Sequence, residues 1–302
     1  MALPDLGAGR GVAGRIEQTV RLLERRGYAL PPARLGDLCL EGPLTPEQVV
    51  RAVSASPSLT LRGDLVLTQE QAPRAPGIAA RAASHREQAP PYLAMTRRFV
   101  RRFVQANPYV LGVAIAGSLA SGGFAAADDV DLNLIVEDGR RHLAYVALNA
   151  FGLAHALLHR GKPVDALSRR PVAPRLMTAN LILERSQCFP LARQDADMAY
   201  EILVGQPVHG AALWRQVVDA NPGLTDHFPQ LDATIWEDEG PVGPSAPAWL
   251  FPRAADRPAR ALGRAAWRWM QWTRRREPEA LARVAYVRQT MRPYTLFDEP
   301  SA

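Results

Sequence analysis

The chain has 302 residues, with 36 Lys and Arg against 30 Asp and Glu, a net charge of +6 and an isoelectric point near 9.8. That length buries a sizeable core without disulfides, and two cysteines, Cys39 and Cys188, with no paired Cys/His spacing argue against a disulfide scaffold or a structural zinc site and favour a reducing, cytoplasmic setting. No secretory signal is visible, and the longest apolar run, 143 to 158, is broken by Asn149 and His155, so a soluble protein without a membrane partner is expected.

In chain order, Ile16, Val20, Leu22 and Leu23 recur at helical spacing over residues 12 to 27, with Gly27 as a stop. A short helix near 33 to 40 follows. A third starts at Thr45, where Thr45, Pro46 and Gln48 supply N-cap, N1 proline and capping-box partner. Residues 59 to 68 alternate on both sides of Arg62, Gly63 and Asp64, as a tight hairpin does. Three helices and a hairpin make residues 1 to 71 a winged-helix-like domain.

Residues 72 to 91 lack a sustained hydrophobic face and carry prolines at both ends, which reads as a linker with a helical turn or more. A core domain over 92 to 190 is then expected: a helix 92 to 106, a strand 109 to 116, a Gly-Ser turn, a strand 129 to 137, a helix 140 to 160, and strand-like runs near 163 to 167 and 176 to 184. This alternation predicts an α/β (α+β) fold with a mixed sheet and flanking helices. Residues 191 to 236 read as a helical extension. Residues 237 to 302 read as a Pro-rich joint and a basic, Trp-rich helix from about 255 to 277.

The chemistry sits in "GVAIAGSLASGGFAAADDVDLNLIVEDG", residues 112 to 139. On a strand, Asp129 and Asp131 project to one face while Val130, Leu132 and Leu134 turn to the core. Adjacent carboxylates repel unless a cation lies between them, and oxygen-only ligands suit Mg²⁺ or Mn²⁺. Gly117 allows close approach of the backbone to an anion, a following helix start offers N–H groups, and Ser118 adds a hydroxyl. Together they make a site for a nucleoside triphosphate and its metal.

Gly-Ser, a spacer of about ten residues, then acidic-x-acidic within a strand resembles the DNA-polymerase-beta-type nucleotidyltransferase superfamily, with "DDVDL" standing where that family often has Ser-Asp-Ile-Asp-Leu. At pattern level, most of the chain looks like a bacterial branch in which such a domain follows a winged helix and precedes a helical tail. The resemblance implies attack on the α-phosphate of a nucleoside triphosphate with pyrophosphate leaving, metal ions held by Asp129 and Asp131, and a third carboxylate on the next strand. Asp165, in a Val-Asp-Ala-Leu run after the long helix, is the first candidate for that third position. The rival is the strand holding Asn180 and ending at Glu184. With Asn180 in the third position the metal is held poorly, and the protein binds nucleotide without fast turnover.

Each feature has a plainer reading. Asp129 and Asp131 also suit the solvent face of an antiparallel strand, and Asp165 a capped turn. Gly9, Gly11 and Gly14 form a G-x-G-x-x-G that follows no strand, which speaks against a dinucleotide site. His142, His155 and His159 lack the nearby Glu of a zinc helix. Arg97, Arg98, Arg101 and Arg102 suit a solvated helix face. Trp267, Trp269 and Trp272 interleave with arginines that stack on bases or, more commonly, snorkel around tryptophans packed on their own domain. The helix 46 to 56 has one arginine and little else that reads bases, so sequence-specific DNA binding is not expected. The acceptor, whether small molecule, RNA or protein, is not encoded in the motif. A nucleic-acid-binding winged-helix regulator stays open as a third reading.

Overall fold

The computed structural model describes residues 11–164, 174, 176–232, 236 and 243–297. Two compact units divide the chain, one of residues up to Arg81 with Thr225–Ala233, the other of Ala82–Leu224 with Thr234–Ala302.

In the first unit, α1 (Val12–Glu24) buries Ile16, Val20, Leu22 and Leu23, the four positions its periodicity selects. Polar Thr19 is buried with them because its hydroxyl donates to the Arg15 carbonyl at 2.8 Å and accepts the Leu40 amide at 3.0 Å. The helices α2 (Pro32–Asp37) and α3 (Pro46–Ala55) follow, and Thr45 and Gln48 form the expected reciprocal cap. Strands β1 (Leu59–Arg62) and β2 (Leu65–Thr68) pair antiparallel with Arg62 opposite Leu65, closing through Gly63 and Asp64. The returning segment is tied in by Glu41 N–H to the His227 carbonyl and Gln230 to the Cys39 carbonyl.

Residues 72 to 91, expected as a linker, are helical. A 3-10 turn over Ala72–Arg74 leads into α4 (Ala75–Ala106), one helix that continues through Pro90 and Pro91. Each internal proline removes an amide donor and costs about 3 kcal/mol. Alanine has the highest helix propensity, and Ala75 and Ile78 are buried in the first unit and Ala89 in the second, which offsets that cost. Alanine gives too little hydrophobic contrast for the helix to show in the pattern.

The second unit has β3 (Val110–Ala116), α5 (Gly117–Ser121), β4 (Val130–Val136), α6 (Arg141–Leu157), β5 (Met177–Glu184), α7 (Ala196–Leu203), β6 (Gln206–His209), α8 (Ala211–Asp219), α10 (Asp256–Arg274) and α11 (Pro278–Thr290), and the chain division falls within α9 (Pro222–His227). Its sheet is mixed, in the order β5-β4-β3-β6, with β4 and β5 parallel and the other pairs antiparallel. Val130, Leu132, Leu134 and Val136 are fully buried in one core with Phe99 and Phe103 of α4 and Ala144, Leu148 and Ala156 of α6.

Two departures from the expected pattern lie after β5. Residues 193 to 236, read as helical, contain β6, whose Pro207 lacks an amide donor and is tolerated at the sheet edge. The basic helix is followed by a separate helix from Pro278. Pro163 and Val164, expected to open a strand, have no regular structure, and the rest of that run lies outside the described residues. Among the described residues no helix is long and apolar enough to cross a membrane.

Candidate functional site

Strand β3 ends at Ala116, which pairs with Asp131 of β4. The chain must turn there, and Gly117 does so with φ +59°, in the left-handed region. The approach is close: a β-carbon on Gly117 would sit 2.2 Å from Asp131 Oδ2 and 3.0 Å from its Cγ. The absent side chain thus makes room for a carboxylate against the Gly-Ser backbone. From the other side Thr178, the register partner of Asp131 on β5, donates its hydroxyl to Asp131 Oδ1 at 2.9 Å.

Asp129 is the last residue before β4, which starts at Val130 rather than at 129. Both carboxylates are partly exposed. Ser118, expected as a phosphate donor, gives its hydroxyl to Asp128 Oδ2 at 3.0 Å, and the same oxygen accepts the Ala125 amide at 3.0 Å. Asp128 thereby closes the loop between the Gly-Ser turn and Asp129. This residue escaped the sequence reading because a first Asp in "DDVD" has no signature apart from its neighbours.

Two further contacts hold that loop. Phe124 is fully buried with its ring centroid 4.7 Å from that of Tyr92. Lys162 is nine-tenths buried and donates its ammonium to the Ala127 carbonyl at 3.1 Å. It is the one lysine of the chain, the other 35 of its 36 basic residues being arginines. That singularity was a readable signal in the sequence, and the reading passed over it.

Asn133 lies two residues beyond Asp131 on the same face of β4 and is almost wholly buried. Its amide donates to Glu201 Oε1 at 2.8 Å, and Asn180 Nδ2 donates to Glu201 Oε1 at 2.7 Å and to Asn133 Oδ1 at 3.1 Å. Glu201, carried by α7, is a carboxylate that no local sequence pattern places here. The rival Glu184 is not part of the site. Six residues beyond Thr178 on β5, it lies roughly 20 Å along the strand, where it accepts the Gly139 amide and shares a capping box with Gln187. Asp165 lies outside the described residues.

The histidines have structural partners. His142 Nδ1 meets Asp256 Oδ2 at 2.7 Å, and His155 packs its ring on Phe99 and His159.

No protein-family model, curated protein or solved structure matches the chain. Its site is therefore read from geometry and donor chemistry. Among the described residues no three His, Cys, Asp or Glu side chains group as a metal cage. Oxygen donors such as carboxylates are the ligand type that hard divalent ions take. The Thr178 hydroxyl fixes the orientation of the Asp131 carboxylate.

Proposed function

We propose that the chain is a metal-dependent nucleotidyltransferase that moves a nucleoside monophosphate from a nucleoside triphosphate to an acceptor, with release of pyrophosphate. The observation that carries this reading is the apposition of Gly117 and Asp131. The Asp131 carboxylate lies against the Gly-Ser backbone in the space a β-carbon would fill, and Thr178 holds it in orientation, so a fixed carboxylate stands at the strand end beside the Gly-Ser turn. The rest of the superfamily resemblance, including the winged-helix-like front, belongs to the same proposal.

In this reading Asp129 and Asp131 would hold Mg²⁺ or Mn²⁺, which would supply neutralisation of phosphate charge. Gly117 lets the Asp131 carboxylate pack against the turn. Asp128, Phe124 and Lys162 keep the loop that presents Asp129 closed. The test is label transfer from α-phosphate-labelled nucleoside triphosphates, with Mg²⁺ or Mn²⁺ and cell extract as acceptor source. Transfer should vanish in Asp129→Ala and in Asp131→Ala, and transfer that persists in both variants overturns the assignment.

One observation favours a second reading, a nucleotide sensor with slow turnover. On β5, the parallel neighbour of β4, the site-facing position beyond Thr178 is Asn180, an amide already bonded to Asn133 and Glu201. The sensor reading predicts nucleotide binding that depends on Asp131 without pyrophosphate release.

A further inference from the structure

We propose that α10, with the groove it forms against α11, is a binding surface for single-stranded nucleic acid. One edge of α10 is fixed within its own unit. Asp256 accepts the His142 and Leu143 amides at 2.9 Å each, capping the start of α6, and Gly263 lies so close to Tyr145 and Phe297 that a β-carbon would meet them at 3.2 and 2.6 Å. The remaining surface of the helix has two stripes.

The first stripe is cationic. Arg257, Arg260, Arg264 and Arg268 follow one another at three- and four-residue spacing and line a shallow groove of about 700 Å³, with Ala261 and Ala265 among them. At 1.5 Å per residue the four charges extend over roughly 16 Å, which suits a linear polyanion better than a single phosphate. Residues 256 to 276 hold seven arginines against one acid, Asp256, and that carboxylate is engaged at α6.

The second stripe is aromatic. Trp269 and Trp272 are 64% and 59% exposed, contrary to the expectation that the tryptophans pack on their own domain. Arg275 lies over the Trp272 ring at 4.2 Å and Arg288 of α11 over Trp267 at 4.5 Å. Trp267, Gln271, Leu281, Arg288 and Gln289 line a second groove of about 490 Å³, within the range that small ligands occupy.

Phosphate-spaced cations beside flat π-faces are what an unpaired strand requires, since its backbone follows the charges and its bases stack on exposed rings. A duplex keeps its bases stacked on one another and leaves the tryptophans unused. An anionic membrane surface fits less well. An interfacial helix buries a broad apolar face, whereas the exposed apolar side chains here are two tryptophans, Leu262 and alanines, and one of the rings lies under a guanidinium.

The test is fluorescence anisotropy of the full chain with a labelled single strand of about 15 nucleotides, RNA or DNA. Titrations are repeated with the matching duplex and with phosphatidylserine vesicles. The single strand should bind at least tenfold more tightly than the duplex, and log K should fall with log salt at a slope near −3 for four phosphate contacts between about 50 and 200 mM. Arg264→Gln with Arg268→Gln should weaken binding about tenfold and flatten the slope by about 1.4. Trp269→Ala with Trp272→Ala should weaken it at least about thirtyfold at an unchanged slope.

These four side chains lie on the helix surface, and circular dichroism of each variant checks that helicity is kept. Equal affinity for duplex and single strand, no binding at low salt, indifference to both pairs of substitutions, or tryptophan-dependent vesicle binding without oligonucleotide binding would each overturn the proposal. Asp131→Ala should bind the oligonucleotide as the parent chain does, so this surface and nucleotidyl transfer stand or fall separately.

Discussion

Thr178 Oγ1 donates to Asp131 Oδ1 at 2.9 Å across the parallel pair of β4 and β5. The bond joins two strands separated in sequence by a long helix and aims the carboxylate at the Gly-Ser turn. Thr178→Val keeps the shape and removes the donor. A net hydrogen bond to a charged group contributes about 1.5–3 kcal/mol, so nucleotide-dependent activity should fall at least tenfold while the fold persists. Steady-state transfer rates beside a thermal melt check this, and unchanged activity would remove Thr178 from the site.

Gly117→Ala should do more damage than its size suggests. The added carbon meets Asp131 Oδ2 at 2.2 Å, and φ +59° strains any L-residue. Backbone strain of this kind costs roughly 1–3 kcal/mol, before any displacement of the carboxylate. Chemical denaturation should register that loss, and nucleotide binding measured calorimetrically should weaken in parallel.

Lys162→Met should loosen the loop before Asp129. The substitution removes the ammonium donor from the Ala127 carbonyl, and a hydrogen bond to a charged group contributes about 1.5–3 kcal/mol. Hydrogen exchange of residues 122 to 129 should accelerate relative to the β4 amides. Exchange that stays uniform would show that the remaining contacts, among them Asp128 and the Tyr92 hydroxyl on the Ala126 carbonyl, hold the loop without Lys162.

Asn180→Asp should be destabilising at neutral pH and less so in acid. The new carboxylate would face Glu201 where an amide now donates at 2.7 Å, and like charges so close raise a carboxyl pKa. A carboxyl with a raised folded value loses its penalty as pH falls toward the unfolded value of about 4. Urea midpoints of variant and parent should therefore differ more at pH near 7.5 than near 4.5.

His155 should make the native state acid-sensitive. Burial, then the charges of His159, Arg102 and Arg98, hold its pKa below the usual histidine value, and its Nε2 has no hydrogen-bond partner among the described residues. The unfolded chain then binds a proton that the folded chain resists, so this contribution is intact above about pH 6.5 and is lost as pH falls through the depressed value. His155→Phe should flatten the pH dependence of the denaturation midpoint in that window.

The local elements were determined by the sequence alone. The Thr45 and Gln48 cap, the hairpin about Gly63 and Asp64, the core-facing Val130, Leu132 and Leu134, and the Gly117 turn all depend on residues a few positions apart, and each is found where its pattern puts it. Tertiary structure decided what those patterns cannot contain. Parallel pairing of β4 with β5 brings Thr178 to Asp131 and leaves Glu184 at the far strand end, while α7 delivers Glu201 to Asn133 and Asn180. Strand register and helix docking minimise the free energy of the whole buried core, and no periodicity within one segment records which distant side chain completes a hydrogen bond.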